Sequence, residues 1–368
     1  MAHVVVVGAG TIGSHLLPHV ARMPSVAAVT VVDRDDYEQS NLRAQNVYTP
    51  DIGKPKAQTQ ARRLRQINPS LVTRAYQKPV EDLPLGWLRA DAILACLDSR
   101  RARMAVNQAA WRLGVPWINA GIDATGLLAR VQVFLPSENA PCLECAWDAR
   151  DYELVEQAYP CQDPAAPPET GASSGLGALA ASLQALECEK LLAGDREHLL
   201  AGRDVMVDVR THRHYVTRFQ RNNACRMPDH TGWRITPYDA DPTSTTLDEL
   251  IAMASTLRGA EGGVRARVAG QQFAMTLTCD GCGERSPDGH LYRGERRRNP
   301  SRCQACGGSL AATGFDLHDA VMLDALPEGA CNRSLMALGL LTGDVVTFTT
   351  PEVELHLELT GEVWPIEF

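Results

Sequence analysis

The chain has 368 residues, 44 acidic against 36 basic, for a net charge of −8, with 45% apolar and 22% charged side chains. At roughly 150 residues per domain this suggests two domains, and a chain of this length can fold on a hydrophobic core without staples. The acidic balance argues against a nucleic-acid footprint, and the absence of any apolar run near about 18 residues argues against a transmembrane helix. The N-terminus has neither a basic flank nor a small-residue cleavage site, so it does not read as a signal peptide. The expected setting is the cytoplasm, away from membranes and nucleic acid.

Val4 to Val7 form a β-branched run, expected of a central parallel strand buried on both faces. It feeds into Gly8-Ala9-Gly10-Thr11-Ile12-Gly13 and an apolar-periodic helix. A second strand, Ala28 to Val32, ends on Asp33, twenty residues beyond Gly13. Further strands are predicted at Ala92 to Cys96, ending near Asp98, and at Trp117 to Ala120, with a helix from about Arg101 to Leu113 between them. Strands alternating with helices predict a doubly wound, Rossmann-like α/β sheet, mostly parallel.

Beyond Asn119 the pattern changes. A longer strand is expected at Leu127 to Leu135, then a Pro-rich loop from Tyr159 to Thr170 and a small-residue helix from Leu176 to Leu192. A hairpin follows (Asp204–Val209 with His214–Phe219), so the sheet is expected to finish antiparallel. The shift to Asp, Pro and Thr at Tyr238 to Thr246 is the best domain boundary, dividing residues 1–238 from 239–368. The second part contains a short helix (Leu247 to Leu257), a paired-cysteine segment and final strands at Val345 to Thr349 and Val353 to Leu359.

The glycine fingerprint fits a phosphate-bearing ligand. Gly8, Gly10 and Gly13 allow a tight turn and close backbone approach, and the helix N-terminus adds partial positive charge. Asp33 is placed to accept hydrogen bonds from ribose hydroxyls. This motif alone serves NAD and ATP equally.

The next segments choose between them. Ser40-Asn41-Leu42-Arg43-Ala44-Gln45 is followed by Asp51-Ile52-Gly53-Lys54-Pro55-Lys56-Ala57. Asp98-Ser99 with Arg103 and Asn107 comes next, and then Pro141-Cys142-Leu143-Glu144-Cys145. In this order, over about residues 4–230, the set resembles the ubiquitin-activating-enzyme-like adenylyltransferases of ThiF, MoeB and HesA type. The resemblance implies ATP as the nucleotide and attack of a carboxylate on its α-phosphate. That reaction joins two anions, so positioning and positive charge must supply the catalysis. By resemblance Lys56 and Arg43 neutralise phosphate oxygens, Asn41 and Gln45 orient them, Asp98 holds magnesium, and Asp35 assists in the metal or nucleotide shell. The family places its arginine immediately before the glutamine, where this sequence has Ala44. Arg43 sits one position early, which suggests a one-residue deletion in the turn. Lys54 competes with Lys56, but only Lys56 matches the family position before Ala57.

Eleven cysteines include three Cys-x-x-Cys pairs. Cys279/Cys282 and Cys303/Cys306, separated by twenty residues, read as a structural zinc ribbon within about 279–306. Cys142 and Cys145 need two more ligands. Relatives supply a second pair after the last strand, where this chain has Cys225 and His230; the four together are inferred as a zinc site, the alternative being a lost site with buried thiols. Cys96 and Cys188 read as inert core thiols. Cys161 stands in a Pro-rich loop, about 150–175, resembling the crossover loop where ubiquitin-like activating enzymes carry their thioester cysteine. An exposed cysteine without a role is the alternative, and Cys331 is the second candidate nucleophile.

The resemblance implies adenylation of the C-terminal glycine of a small ubiquitin-like protein, then thioester formation on Cys161 and transfer to a conjugating enzyme. It also implies a homodimer, as in bacterial members, some of which belong to ubiquitin-like conjugation systems linked to antiviral defence. Two other readings stand beside it: adenylation of a sulfur carrier for thiamine, molybdopterin or thiolation chemistry, and a non-catalytic zinc-ribbon binding module.

Overall fold

A computed structural model describes residues 1–156, 173–227, 230, 232–256, 264–294, 300–350 and 353–361. The chain falls into two compact units, Met1–Val80 with Leu88–Trp233, and Glu81–Trp87 with Arg234–Phe368.

The first unit is built on an eight-stranded sheet in the order β3-β2-β1-β4-β5-β6-β7-β8. Its strands are β1 (Ala2–Val7), β2 (Val26–Val32), β3 (Val72–Tyr76), β4 (Ala92–Ala95), β5 (Trp117–Asp123), β6 (Leu128–Phe134), β7 (Arg203–Asp208) and β8 (Arg213–Arg218). β3, β2, β1, β4 and β5 run parallel. From β6 onward each pairing is antiparallel, as the hairpin pattern leads one to expect. Val4 to Val7 are buried on both faces, the condition that lets a continuous β-branched run occupy the middle of a parallel sheet.

The helices of this unit are α1 (Gly13–Val20), α2 (Lys56–Ile67), α3 (Arg100–Leu113), α4 (Ala149–Glu156) and α5 (Ser174–Ala193). Leu16, Leu17 and Val20 of α1, Leu64 of α2 and Ala180, Ala181 and Ala185 of α5 share one core with Val4 and Val6. The small residues of α5 let its backbone come close to the glycine loop. A Cβ on Gly177 would lie 2.6 Å from Thr11 Cγ2 and 2.8 Å from the Thr11 carbonyl oxygen. The strand order reverses between β1 and β4, and crevices at such switch points are where open α/β sheets bind ligands.

The second unit contains β9 (Ile235–Tyr238), α6 (Leu247–Thr256), β10 (Arg265–Val268), β11 (Phe273–Cys279), β12 (Arg285–Leu291), β13 (Leu310–Ala311), β14 (Leu317–His318), β15 (Val321–Met322), β16 (Val345–Thr349) and β17 (Glu354–Leu359). One sheet runs β15-β10-β16-β17-β9; the other is β12-β11-β13, with β14 also paired to β11. Leu250, Val268, Phe273, Leu335, Val346, Phe348 and Leu357 belong to their shared core. No described helix is long and apolar enough to cross a membrane.

Candidate active site and metal centres

The loop after β1 is glycine-dependent for two different reasons. Gly8 has φ +95°, and a Cβ there would lie 2.4 Å from the Cys96 carbonyl oxygen. A Cβ on Gly13 would lie 1.9 Å from the Gly8 carbonyl oxygen. Gly10 instead faces open space, its nearest neighbour being Gln45 Nε2, 3.8 Å from a built Cβ. This leaves a backbone cradle where a phosphate could approach without meeting a side chain.

Asp33, at the end of β2, fastens the loop. Its carboxylate accepts from the Ala9 N–H at 2.6 Å and the Asp35 N–H at 2.9 Å. A carboxylate has about four lone-pair sites, so two remain for a ligand hydroxyl. Burial pushes the Asp33 carboxyl up, opposed by the Lys56 charge and by these N–H groups. Tyr37, 1% exposed, donates its hydroxyl to the Ala9 carbonyl at 3.0 Å and accepts from Gln60 at 2.7 Å.

Lys56 opens α2 and is buried, whereas Lys54 is exposed. Backbone pairing holds it in place: Lys56 donates its N–H to the Asp35 carbonyl at 2.9 Å, and Tyr37 to that of Lys54 at 2.9 Å. Its ammonium lies 3.6 Å from Asp35 Oδ2 and 5.8 Å from the centre of the Tyr37 ring. Asp35 is half exposed, so this pair adds little stability. Its consequence is a cation held at a fixed position beside the glycine loop.

Arg43 ends a short 3₁₀ turn, Gln39–Arg43, and its side chain is exposed. Asn41 closes that turn by accepting the Glu38 N–H at 2.9 Å, so its carbonyl oxygen has a structural task. Gln45 has its Oε1 buried without a hydrogen-bond partner among the described residues. A polar atom orphaned beside an open glycine cradle suits a bound polyanion's hydroxyl, water or metal shell. Asp98 is exposed in the turn after β4, next to Ser99, which caps α3.

The structure separates Arg103 from Asn107. The Arg103 guanidinium donates to the Leu97 carbonyl, beside the Asp98 turn. Asn107 is fully buried, accepts the Leu143 N–H at 3.1 Å and donates to Glu144 at 3.1 Å. It therefore holds the cysteine turn. The Glu144 carboxyl is pushed up by burial and also accepts from Tyr152 of α4 at 3.1 Å.

Cys142, Cys145, Cys225 and His230 converge, each offering a ligand atom within 4.8 Å of the others. Cys142 Sγ lies 3.8 Å from Cys145 Sγ, 3.7 Å from Cys225 Sγ and 3.6 Å from His230 Nε2. Tetrahedral zinc with bonds near 2.3 Å needs sulfurs about 3.8 Å apart, so these donors fit that ion. Cys279, Cys282, Cys303 and Cys306 form the second cluster, with Cys279–Cys306 at 3.4 Å and Cys282–Cys303 at 3.8 Å. Each pair is followed by a glycine in the left-handed region, Gly283 at +73° and Gly307 at +74°. Gly281 and Gly308 donate their N–H groups to the Cys279 and Cys306 sulfurs at 3.4 Å. A metal held in either cluster would be structural: four protein ligands leave no open position.

Cys161 lies outside the described residues. Cys96 and Cys188 are held in the protonated form by burial, Cys188 up to about 12. Burial and the Asp248 charge also push the Cys331 thiol up, which disfavours it as a nucleophile. The sequence reading passed over Tyr37 and Gln60. Gln60 lies four residues after Lys56 on one face of α2, a spacing that becomes a signal only once this polar segment is known to be helical.

A model of the ThiF family matches residues 1–227. The sulfur carrier protein ThiS adenylyltransferase of Escherichia coli K12 is 31% identical over 196 residues, covering 52% of this chain and 73% of that one. Ubiquitin-like modifier-activating enzyme 5 of Oryza sativa subsp. japonica is 27% identical over 158 residues, 39% of this chain and 37% of that enzyme. The crystal structure of Escherichia coli MccB with ATP shares the fold, with a TM-score of 0.50 at 21% identity. That likeness covers 62% of this chain and 66%, just under two thirds, of the MccB chain.

Proposed function

This chain belongs to the ThiF family and is an ATP-dependent adenylyltransferase; we propose that it activates the C-terminal carboxylate of a small ubiquitin-like or sulfur-carrier protein. The first unit is the adenylation domain, and ATP lies across the Gly8–Gly13 loop with its ribose toward Asp33. The observation that carries this reading is the buried lysine at the start of α2, 3.6 Å from Asp35. A dinucleotide site needs no such cation, whereas attack of a carboxylate on an α-phosphate does.

The residues divide the work. Lys56 and Arg43 offset the phosphate charge that would repel the incoming carboxylate. Gln45 and Asn41 orient the phosphates, and Asp98, with Asp35 nearby, would hold the magnesium that screens them. The carboxylate oxygen attacks the α-phosphorus, the bond to the bridging oxygen breaks, and pyrophosphate leaves with that electron pair. In the fuller reading the Cys161 thiolate attacks the acyl-adenylate, a thioester forms and AMP leaves, within a bacterial conjugation pathway run by a homodimer. A second reading, adenylation of a sulfur carrier without that thioester, is favoured by the likeness to the ThiS adenylyltransferase.

Intact mass under non-reducing conditions tests these readings, with ATP, magnesium and a candidate carrier mixed with the native and Cys161→Ala chains. A carrier-sized adduct, removed by thiol and absent from Cys161→Ala, is expected. AMP without an adduct selects the sulfur-carrier reading. Neither product with the carrier bound sinks catalysis and leaves a binding module.

A further inference from the structure

The first turn of α1 does more than begin the helix after the glycines. With the glycine loop before it, it meets the residues that follow Arg43 at three points. Gly10 faces Gln45, and the fully buried Ser14 hydroxyl accepts the Asn46 N–H at 2.9 Å. His15 is next, half-buried, with the Ala44 backbone as a hydrogen-bond partner. Its Nε2 lies 3.0 Å from Ser174 Oγ, the first residue of α5. One turn further along α5, Gly177 packs against Thr11 of the glycine loop. A single imidazole thus stands between the turn after β2 and the start of α5, with His15 and Ser174 159 residues apart in sequence.

We propose that His15 is a positioning residue of the adenylation site, fixing the Arg43 turn against α1 and tying it to the start of α5. This rests on the reading of Arg43 as a phosphate-neutralising cation. The need for such a tie follows from the turn itself. Arg43 stands one residue early and exposed at the end of a short 3₁₀ turn, so nothing in its own helix fixes its direction. The neighbouring Ala44 has no side chain with which to anchor the loop, and its backbone is what the imidazole holds. Burial, with a smaller push from His19 and opposed by the Ala44 backbone, lowers the pKa of the ring and so favours its neutral form. A neutral ring donates from one nitrogen and accepts at the other. Nδ1–H then serves the Ala44 carbonyl, and Nε2 accepts the Ser174 hydroxyl.

The test needs no carrier protein. Affinity of the full chain for α,β-methylene ATP with magnesium is measured by calorimetry for His15→Ala, His15→Asn, Ser174→Ala and Arg43→Ala. His15→Ala is expected to weaken binding about 5- to 10-fold, the scale of one lost hydrogen bond with its partner stranded. His15→Asn keeps a donor for the Ala44 carbonyl and recovers most of that loss. Ser174→Ala, which leaves the core untouched, weakens binding less than His15→Ala. In an Arg43→Ala background, His15→Ala adds little further loss, because there is no longer a cation to position. Native affinity in His15→Ala beside weakened Arg43→Ala overturns the proposal, as does full additivity of the two losses. A lowered melting temperature with unchanged affinity below it reduces His15 to a structural role and also overturns it. Native affinity in Arg43→Ala refutes the underlying assignment of Arg43 and the proposal with it. No binding by the native chain refutes the ATP reading itself.

Discussion

Gly10 and Gly13 sit three residues apart and answer to different forces. Gly13 is required by the fold: its absent Cβ would overlap the Gly8 carbonyl oxygen at 1.9 Å, and backbone cannot move aside as a side chain can. Gly10 meets nothing closer than 3.8 Å, so the protein's own packing does not require it. The two substitutions should therefore part company. Gly13→Ala is expected to destabilise the chain by about 3 kcal/mol or more, the upper range for overpacking. Gly10→Ala should stay within about 0.5 kcal/mol of native stability yet lose ATP affinity, because the added methyl occupies the cradle. Urea denaturation and calorimetry on both variants read this out. A Gly10→Ala chain that binds ATP normally would mean that the phosphates do not cross this loop.

At the scale of elements, the two clusters, three thiols with an imidazole and four thiols, tie together different parts of the chain. The first joins the 142–145 turn to the segment that follows β8, and it lies under α4 through Glu144 and Tyr152. Arg221 donates to Cys145 Sγ at 3.7 Å, placing positive charge beside the thiolates a cation would leave only partly neutralised. The second ties β11 to the 303–306 knuckle within the other unit. Native mass spectrometry is expected to show two zinc ions per chain, and one after either Cys225→Ser or Cys306→Ser. Loss of the second ion should leave ATP affinity unchanged and lower stability by on the order of 5 kcal/mol, a discounted share of the binding energy of structural zinc. A chain purified without either ion and equally stable would overturn both assignments.

The same scale shows what local sequence could reveal. β1, β2, β4 and α5 were legible because β-branched runs and a long small-residue helix are local patterns. The ribbon was legible because its ligands come in close pairs. α2 was not read as a helix, since its polar sequence, from Lys56 to Ile67, buries Lys56, Thr59 and Gln60 where hydrophobic residues would have signalled a core face. The strand β3 was missed for a similar reason: five residues containing an arginine carry little alternation. Arg103 and Asn107 lie four residues apart on one helix, but the partner of Asn107 is the distant Glu144 turn, which only tertiary structure brings to it.

On the scale of the whole molecule, the chain crosses between its two units three times. Residues Glu81–Trp87 leave the first unit and belong to the second, although more than 140 residues separate them from Arg234. No composition shift marks this excursion, because it is fixed by distant partners. Leu83 and Leu85 are buried, and Gly86 donates its N–H to the Gly343 carbonyl at 2.8 Å. Arg293 completes the junction: it donates to the Asp82 carbonyl and the Gly339 carbonyl, each at 3.0 Å, and pairs with the fully buried Asp344. Burial pushes the Asp344 carboxyl up while Arg293 opposes it, so removing the arginine leaves a buried acid without its cation. Breaking a buried pair in this way costs about 3–5 kcal/mol. A chain ended after Trp233 deletes every one of these partners and leaves two leucines of the excursion exposed. Such a truncation is expected to aggregate on expression. Replacing residues 81–87 with a short Gly/Ser linker in the same truncation should restore a monodisperse first unit that still binds ATP. Size-exclusion chromatography of the two truncations decides the matter. If the unmodified truncation is as well behaved as the linker version, the 81–87 excursion is an accessory contact and the first unit is stable without it.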